Sequence, residues 1–191
     1  MPITPETDLN ERQWQVEGTG ELIVVHPGVA IPTVVRAGGP LSTVPATGTG
    51  RAGPSTGFRL EVEAVYVESR GHYMLRAFSV VAPEDGEVTG ALLRTAAPLW
   101  VLRWILPRTF QFDEVALSDS VVDFIAPEFK QHRLNKRDAH STTIDLTDVG
   151  TVYRLATIVR YPPAKAVAET FDLQARTATN WIVRARASGL A

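Results

Sequence analysis

Between Phe58 and Tyr66, apolar side chains at Phe58, Leu60, Val62, Ala64 and Tyr66 alternate with Arg59, Glu61, Glu63 and Val65. Successive side chains of a strand point to opposite faces, so this period of two predicts a strand with one dry and one wet face. Glu68–Gly71 supplies a turn, and Tyr73–Val80 a returning strand, so an antiparallel hairpin is expected. A lone hairpin does not hold itself together in water, and the chain must provide more strands or helices to cover the dry face. Gln15–Val25, with short apolar runs around Gly18 and Gly20 and ending in Leu22, Ile23, Val24 and Val25, reads as a further buried strand preceded by a bend. Arg36–Gly57 carries six Gly and three Pro in 22 positions. No helix or central strand is expected there, only a flexible loop.

Helical spacing follows. Thr89 can cap a helix from Gly90 through Leu92, Leu93, Ala96, Leu99, Leu102 and Leu106, with Pro98 kinking or restarting it and Pro107 stopping it. This bent helix is expected to pack on the sheet. Trp100 and Trp104 beside Arg103 suit a core helix, with a membrane surface or a partner's groove as the alternative. The apolar stretch Val121, Val122, Phe124, Ile125 is too short to type. Val149, Val152, Leu155, Ala156 and Val159 again have helical spacing, ended by Tyr161-Pro162-Pro163.

Composition narrows the function. A 45% hydrophobic share in 191 residues supports a folded core, and no run approaches the roughly 20 apolar residues of a membrane span. The start, Met1–Gln13, is polar and acidic, unlike a secretory signal, so a cytoplasmic protein is expected. With no cysteine there are no disulfides, thiolate metal sites or thiol nucleophiles. The net charge of −2 hides an asymmetry: residues 151–191 hold six basic side chains against two acidic, and the first 150 residues hold 13 against 19. The polar, basic run 131–141 reads as a connector, either solvated or in contact with phosphates.

The last 30 residues carry the sharpest pattern. Ala164–Phe171 forms a short helix, Asp172-Leu173 a tight turn, and Gln174–Ser188 a second helix ended by Gly189. Where two such helices cross, the first needs a small residue, which is Ala168. Val167, Phe171, Leu173, Ala178 and Trp181 stand at the offsets that lock the pair together. This segment resembles the tails of small actinobacterial and phage helix-turn-helix proteins through Pro163, Ala166, Val167, Ala168, Phe171, Leu173, Thr177, Ala178, Trp181, Ile182, Ala185, Arg186, Gly189 and Leu190. It departs from them at Asp172, where the turn glycine is usual, and at Gln174, where a capping serine is usual. The resemblance implies that the second helix enters the major groove of duplex DNA. Arg176 would then pair guanine, Asn180 or Gln174 adenine, with Thr179 on the same outward face. Thr177, Arg184, Arg186 and Lys165 would meet phosphates.

Enzyme chemistry finds little support. His26, His72, His132 and His140 have no metal-ligand spacing. His140, Ser141 and Asp145 are close only in sequence, and a catalytic triad is defined by its geometry. The glycine-rich segment lacks the Gly-Lys-Thr/Ser ending of a phosphate loop. The sequence therefore predicts an α+β protein: an acidic, antiparallel β-rich domain with a packed helix over 1–130, a connector over 131–141, and a three-helix helix-turn-helix domain over 142–191. The expected function is non-enzymatic: sequence-specific binding of double-stranded DNA, as a transcription regulator with a homodimer as its candidate assembly, without cofactor, metal or membrane. The alternative is an assembly component whose helical tail docks on a protein partner.

Overall fold

A computed structural model describes residues 14–41, 57–95, 98–113, 116–126 and 144–190. The connector 131–141, the greater part of the glycine-rich segment (42–56), His132, His140 and Ser141 lie outside the described residues. Among those described, the fold is α+β. An antiparallel sheet is built from β1 (Gln15–His26), β2 (Val29–Pro40), β3 (Arg59–Val67) and β4 (His72–Val81) in sequential order, and β5 (Gln111–Phe112) pairs with the start of β2. The helices are α1 (Gly90–Thr95), α2 (Pro98–Ile105), α3 (Asp119–Ile125), α4 (Leu146–Ile158), α5 (Pro163–Thr170) and α6 (Ala175–Ala187). No described helix is long and apolar enough to cross a membrane.

Two strands differ from the sequence reading. Arg36–Pro40, expected in a loop, is the second half of β2 and pairs with β3 from Val34↔Val65 to Pro40↔Arg59. The prolines are tolerated for a local reason. Pro32 lies between the residues that β2 pairs with β5, Val29 and Ala30, and those it pairs with β3, so a ladder donor is not demanded of it on that side. Gly39 is required by a close approach, because the indole of Trp14 fills the space a Cβ would occupy. Gln15–Val25, expected to be a buried strand, lies instead at the end of the sheet, with Leu22 45% and Val24 73% exposed. An end strand is covered on one edge only, and its bend falls inside it, at Gly20 with φ +83°.

The chain divides into two compact units. The first comprises the described residues of Met1–Glu21, Pro32–Val67 and Tyr73–Thr109, and the second those of Leu22–Ile31, Glu68–His72 and Phe110–Ala191. In the first, Leu60, Val62 and Ala64 are buried, as the alternation of β3 predicts, together with Val35, Tyr73, Val101, Leu102, Ile105 and Leu106. Four side chains of α2 and the turn after it are thus part of the core. The indole of Trp104 meets Trp14 edge to face at 5.2 Å and stacks under Arg108. Tyr73 donates its phenol proton to the carbonyl of Pro32 (2.5 Å). Burial pushes that phenol's pKa up. Thr89 Oγ1 accepts from the Leu92 N–H, capping α1 as expected, and the chain restarts as α2 at Pro98.

The second unit holds the three C-terminal helices and α3. α4, α5 and α6 pack against one another, and α3 packs on α4 and α5. Val149, Val152, Leu155, Ala156, Ala166, Val167, Ala178, Ile182 and Ala185 are buried among them. The distant segment Leu22–Ile31 belongs to this unit as well. The Nε2 of His26, at the end of β1, lies 3.0 Å from the hydroxyl of Thr151, the one buried polar residue among those described.

Candidate nucleic-acid interface

The interface begins with how each helix ends. α4, α5 and α6 all close in the same way: a residue with left-handed φ follows the last turn, and the next N–H reaches back five residues. The closures are Tyr161 N–H to Ala156 (2.8 Å), Leu173 N–H to Ala168 (2.8 Å) and Leu190 N–H to Ala185 (2.9 Å). The left-handed residues are Arg160 (φ +58°), Asp172 (+51°) and Gly189 (+71°). This is the Schellman closure, which satisfies carbonyls left without partners at a helix end. Asp172 thus adopts the conformation expected where a turn glycine is usual, and α5 and α6 are joined by the short turn Phe171–Gln174.

Pro163 opens α5 at a position where no amide donor is needed. Ala166 and Val167 are buried inward, and Lys165 is exposed. Lys165 already has an anionic neighbour: its Nζ is 3.7 Å from Glu169, one helical turn on, and the phenol of Tyr161 donates to that same carboxylate at 2.7 Å. The i, i+4 spacing of Lys165 and Glu169 is a signal of this pair that the sequence carries openly.

α6 turns Ala178, Ile182 and Ala185 inward, and Trp181 is half-buried. Every site residue expected on it is exposed: Gln174, Arg176, Thr177, Thr179, Asn180, Arg184 and Arg186. Arg176, Asn180 and Arg184 are four residues apart, one above another at steps of about 6 Å, and Val183, 60% exposed, lies beside this row. The sites differ in how free they are. Arg184 lies over the Trp181 ring at 4.6 Å, so its guanidinium is held to one side of the helix. Thr179 donates its hydroxyl proton to the Ala175 carbonyl (2.9 Å), leaving it an acceptor only. The side chains of Arg176 and Arg186 have no ion pair or hydrogen bond among the described residues. Gln174 stands at the N-cap with no side-chain capping bond, as its departure from the usual serine suggested.

The electrostatics separate these arginines. Arg184 and Arg186 occupy the last turn of α6, where a cation complements the negative end of the helix dipole. Helix stability alone accounts for them. Arg176 is in the first turn, at the positive end, with no acidic residue in that turn. Helix stability opposes it. Sequence reasoning missed Arg160, an exposed cation held in a left-handed conformation just before α5. The signal was there: the helix must end before Tyr161-Pro162, and some residue has to reverse the chain.

Of the residues of the His140, Ser141 and Asp145 set, Asp145 is among those described. Asp145 caps α4, accepting from the Thr147 N–H at 2.9 Å. No group of three or more His, Cys, Asp or Glu among the described residues could hold a metal ion. The carboxyl of Asp148 is raised above its ordinary pKa by burial, opposed by a hydrogen bond from Ser118, raised further by Asp145 and lowered by His26. No family model, curated protein or solved structure matches this chain.

Proposed function

We propose that the protein binds double-stranded DNA sequence-specifically, as a cytoplasmic transcription regulator, through a C-terminal helix-turn-helix formed by α4, α5 and α6. The observation that carries this reading is Arg176, an exposed, unpaired cation at the end of α6 where the helix dipole disfavours it. A charge placed against the local field has a use outside the helix, and an anionic duplex supplies one. α6 enters the major groove, Arg176 forks onto a guanine, and Asn180 pairs an adenine; Gln174 and Thr179 lie where they reach neighbouring edges. Thr177, Arg184, Arg186 and Lys165 hold phosphates and set the register, Lys165 by exchanging Glu169 for a phosphate oxygen. Two copies on adjoining half-sites make a specific operator from one small motif. No cofactor or catalytic step is part of this reading.

A gel-shift titration of the full chain against genomic fragments at two salt concentrations tests it. The expected result is retention of a subset of fragments, with affinity falling steeply as salt rises. Absence of retention at low salt, or capture of a protein partner by the same α6 face, overturns it.

A further inference from the structure

The end strand β1 carries a second feature that the DNA reading leaves unused. Its last part, Glu21-Leu22-Ile23-Val24-Val25-His26, lies between Gly20, whose φ of +83° breaks the extended backbone, and the Pro27-Gly28 turn. β1 has β2 as its one strand neighbour among the described residues, and no described strand pairs with its other edge. On one face of this run Leu22 and Val24 are exposed, 45% and 73%. Natural sheets protect such an edge with charge, proline or a bulge; between Leu22 and Val25 this one has none of them.

We infer that this edge pairs with a second copy of the chain, antiparallel and centred on Ile23. The sequence of the run selects the occupant and the register. Antiparallel pairing about a twofold axis normal to the sheet sets residues of the same face opposite each other, so only registers centred on a residue keep the faces aligned. Centring on Glu21 would oppose two carboxylates. Centring on Leu22 leaves Val24 opposite Gly20, and centring on Val24 leaves Leu22 opposite His26. Centring on Ile23 sets each copy's Leu22 opposite the other's Val24, and uses the run from Gly20 to His26 end to end. All four exposed side chains are then covered by one another, with acids kept to the rim. Leu22–Ile31 belongs to the same compact unit as α4–α6, so the pairing joins two units that each carry an α6.

The pairing is tested without DNA, so its failure is distinct from failure of the DNA reading. Light scattering after size exclusion on the full chain is expected to give twice the chain mass, and Val24→Lys or Leu22→Lys to return it to the single-chain mass with an unchanged far-ultraviolet circular dichroism spectrum. The chain has no cysteine, so introduced thiols report alone. Ile23→Cys, opposite itself in this register, is expected to cross-link under mild oxidation faster than Val24→Cys, which is opposite Leu22, because directly opposed strand residues fall within disulfide reach. Val24→Cys mixed with Leu22→Cys should cross-link as a heterodimer. A wild-type chain that remains single at its highest soluble concentration overturns the inference. So does a dimer that survives both lysine variants, or cross-linking faster at position 24 than at 23.

Discussion

At Gly150, in the middle of α4, the backbone of Leu190 occupies the place where a Cβ would stand. Helix propensity alone favours alanine there by about 0.5–1 kcal/mol, but the obstructing atoms are a carbonyl group and cannot rotate aside. Gly150→Ala is therefore expected to lower stability by roughly 1 kcal/mol or more, read as a lower urea midpoint with an unchanged slope. Arg160 gives the opposite case. Its left-handed φ is one that residues with a Cβ adopt at a cost, so Arg160→Gly is expected to raise stability by about 0.5 kcal/mol after the greater freedom of glycine in the unfolded chain is counted. Arg176→Ala separates stability from function. It should stabilise the folded chain by about 0.3–1 kcal/mol by removing a cation from the positive end of α6. It should weaken duplex binding by about 1–3 kcal/mol. A loss of both, in melts and gel shifts run side by side, would mean that Arg176 is structural. At this scale Asp172 was readable, because the turn between two short helices demands a left-handed residue and Asp tolerates that conformation. Gly150 was not, because its partner is 40 positions away and no local rule points to it.

Among the elements, legibility followed how much of the environment was local. The alternation in β3 fixed which side chains it buries, and Thr89, Pro98 and the Tyr161-Pro162 stop placed helix boundaries, since caps and prolines act on their own neighbours. β2 was misread because glycine and proline content was taken to bar a strand. The second half of β2 forms because β3 pairs with it from Val34 to Pro40 and an indole packs on Gly39, both supplied by other parts of the chain. β1 was misread for burial because an apolar run does not say whether its strand ends the sheet. The start of α4 yields a pH prediction. Burial holds the Asp148 carboxyl above its ordinary pKa of 3.8. Such a group takes up a proton on folding in the window between the two values, so its contribution to stability falls as pH rises from about 3.8 through the raised value. Asp148→Asn keeps an acceptor for Ser118 and removes this titration. Relative to the variant, the wild type should lose stability across that window and change no further above it, as followed by urea melts at a series of pH values.

For the whole molecule, the charge asymmetry read from sequence has a measurable form. Arg186→Ala should weaken binding to all duplexes alike and reduce the slope of log affinity against log salt by about 1, whereas Arg176→Ala should relax sequence choice. The helices expected at 142–191 were legible from their spacing and caps. The company they keep was not, since Thr151 meets a histidine 125 positions earlier and α3 adds to the packing of α4 and α5. A peptide of residues 142–191 is accordingly expected to show less helix by circular dichroism than the same residues contribute in the intact chain. The His26–Thr151 contact also bears on biogenesis. His26 leaves the ribosome 125 residues ahead of Thr151, so the hairpin tip is made well before the helix that receives it. That contact can close only once α4 has been synthesised, so a chain stalled before α4 lacks it.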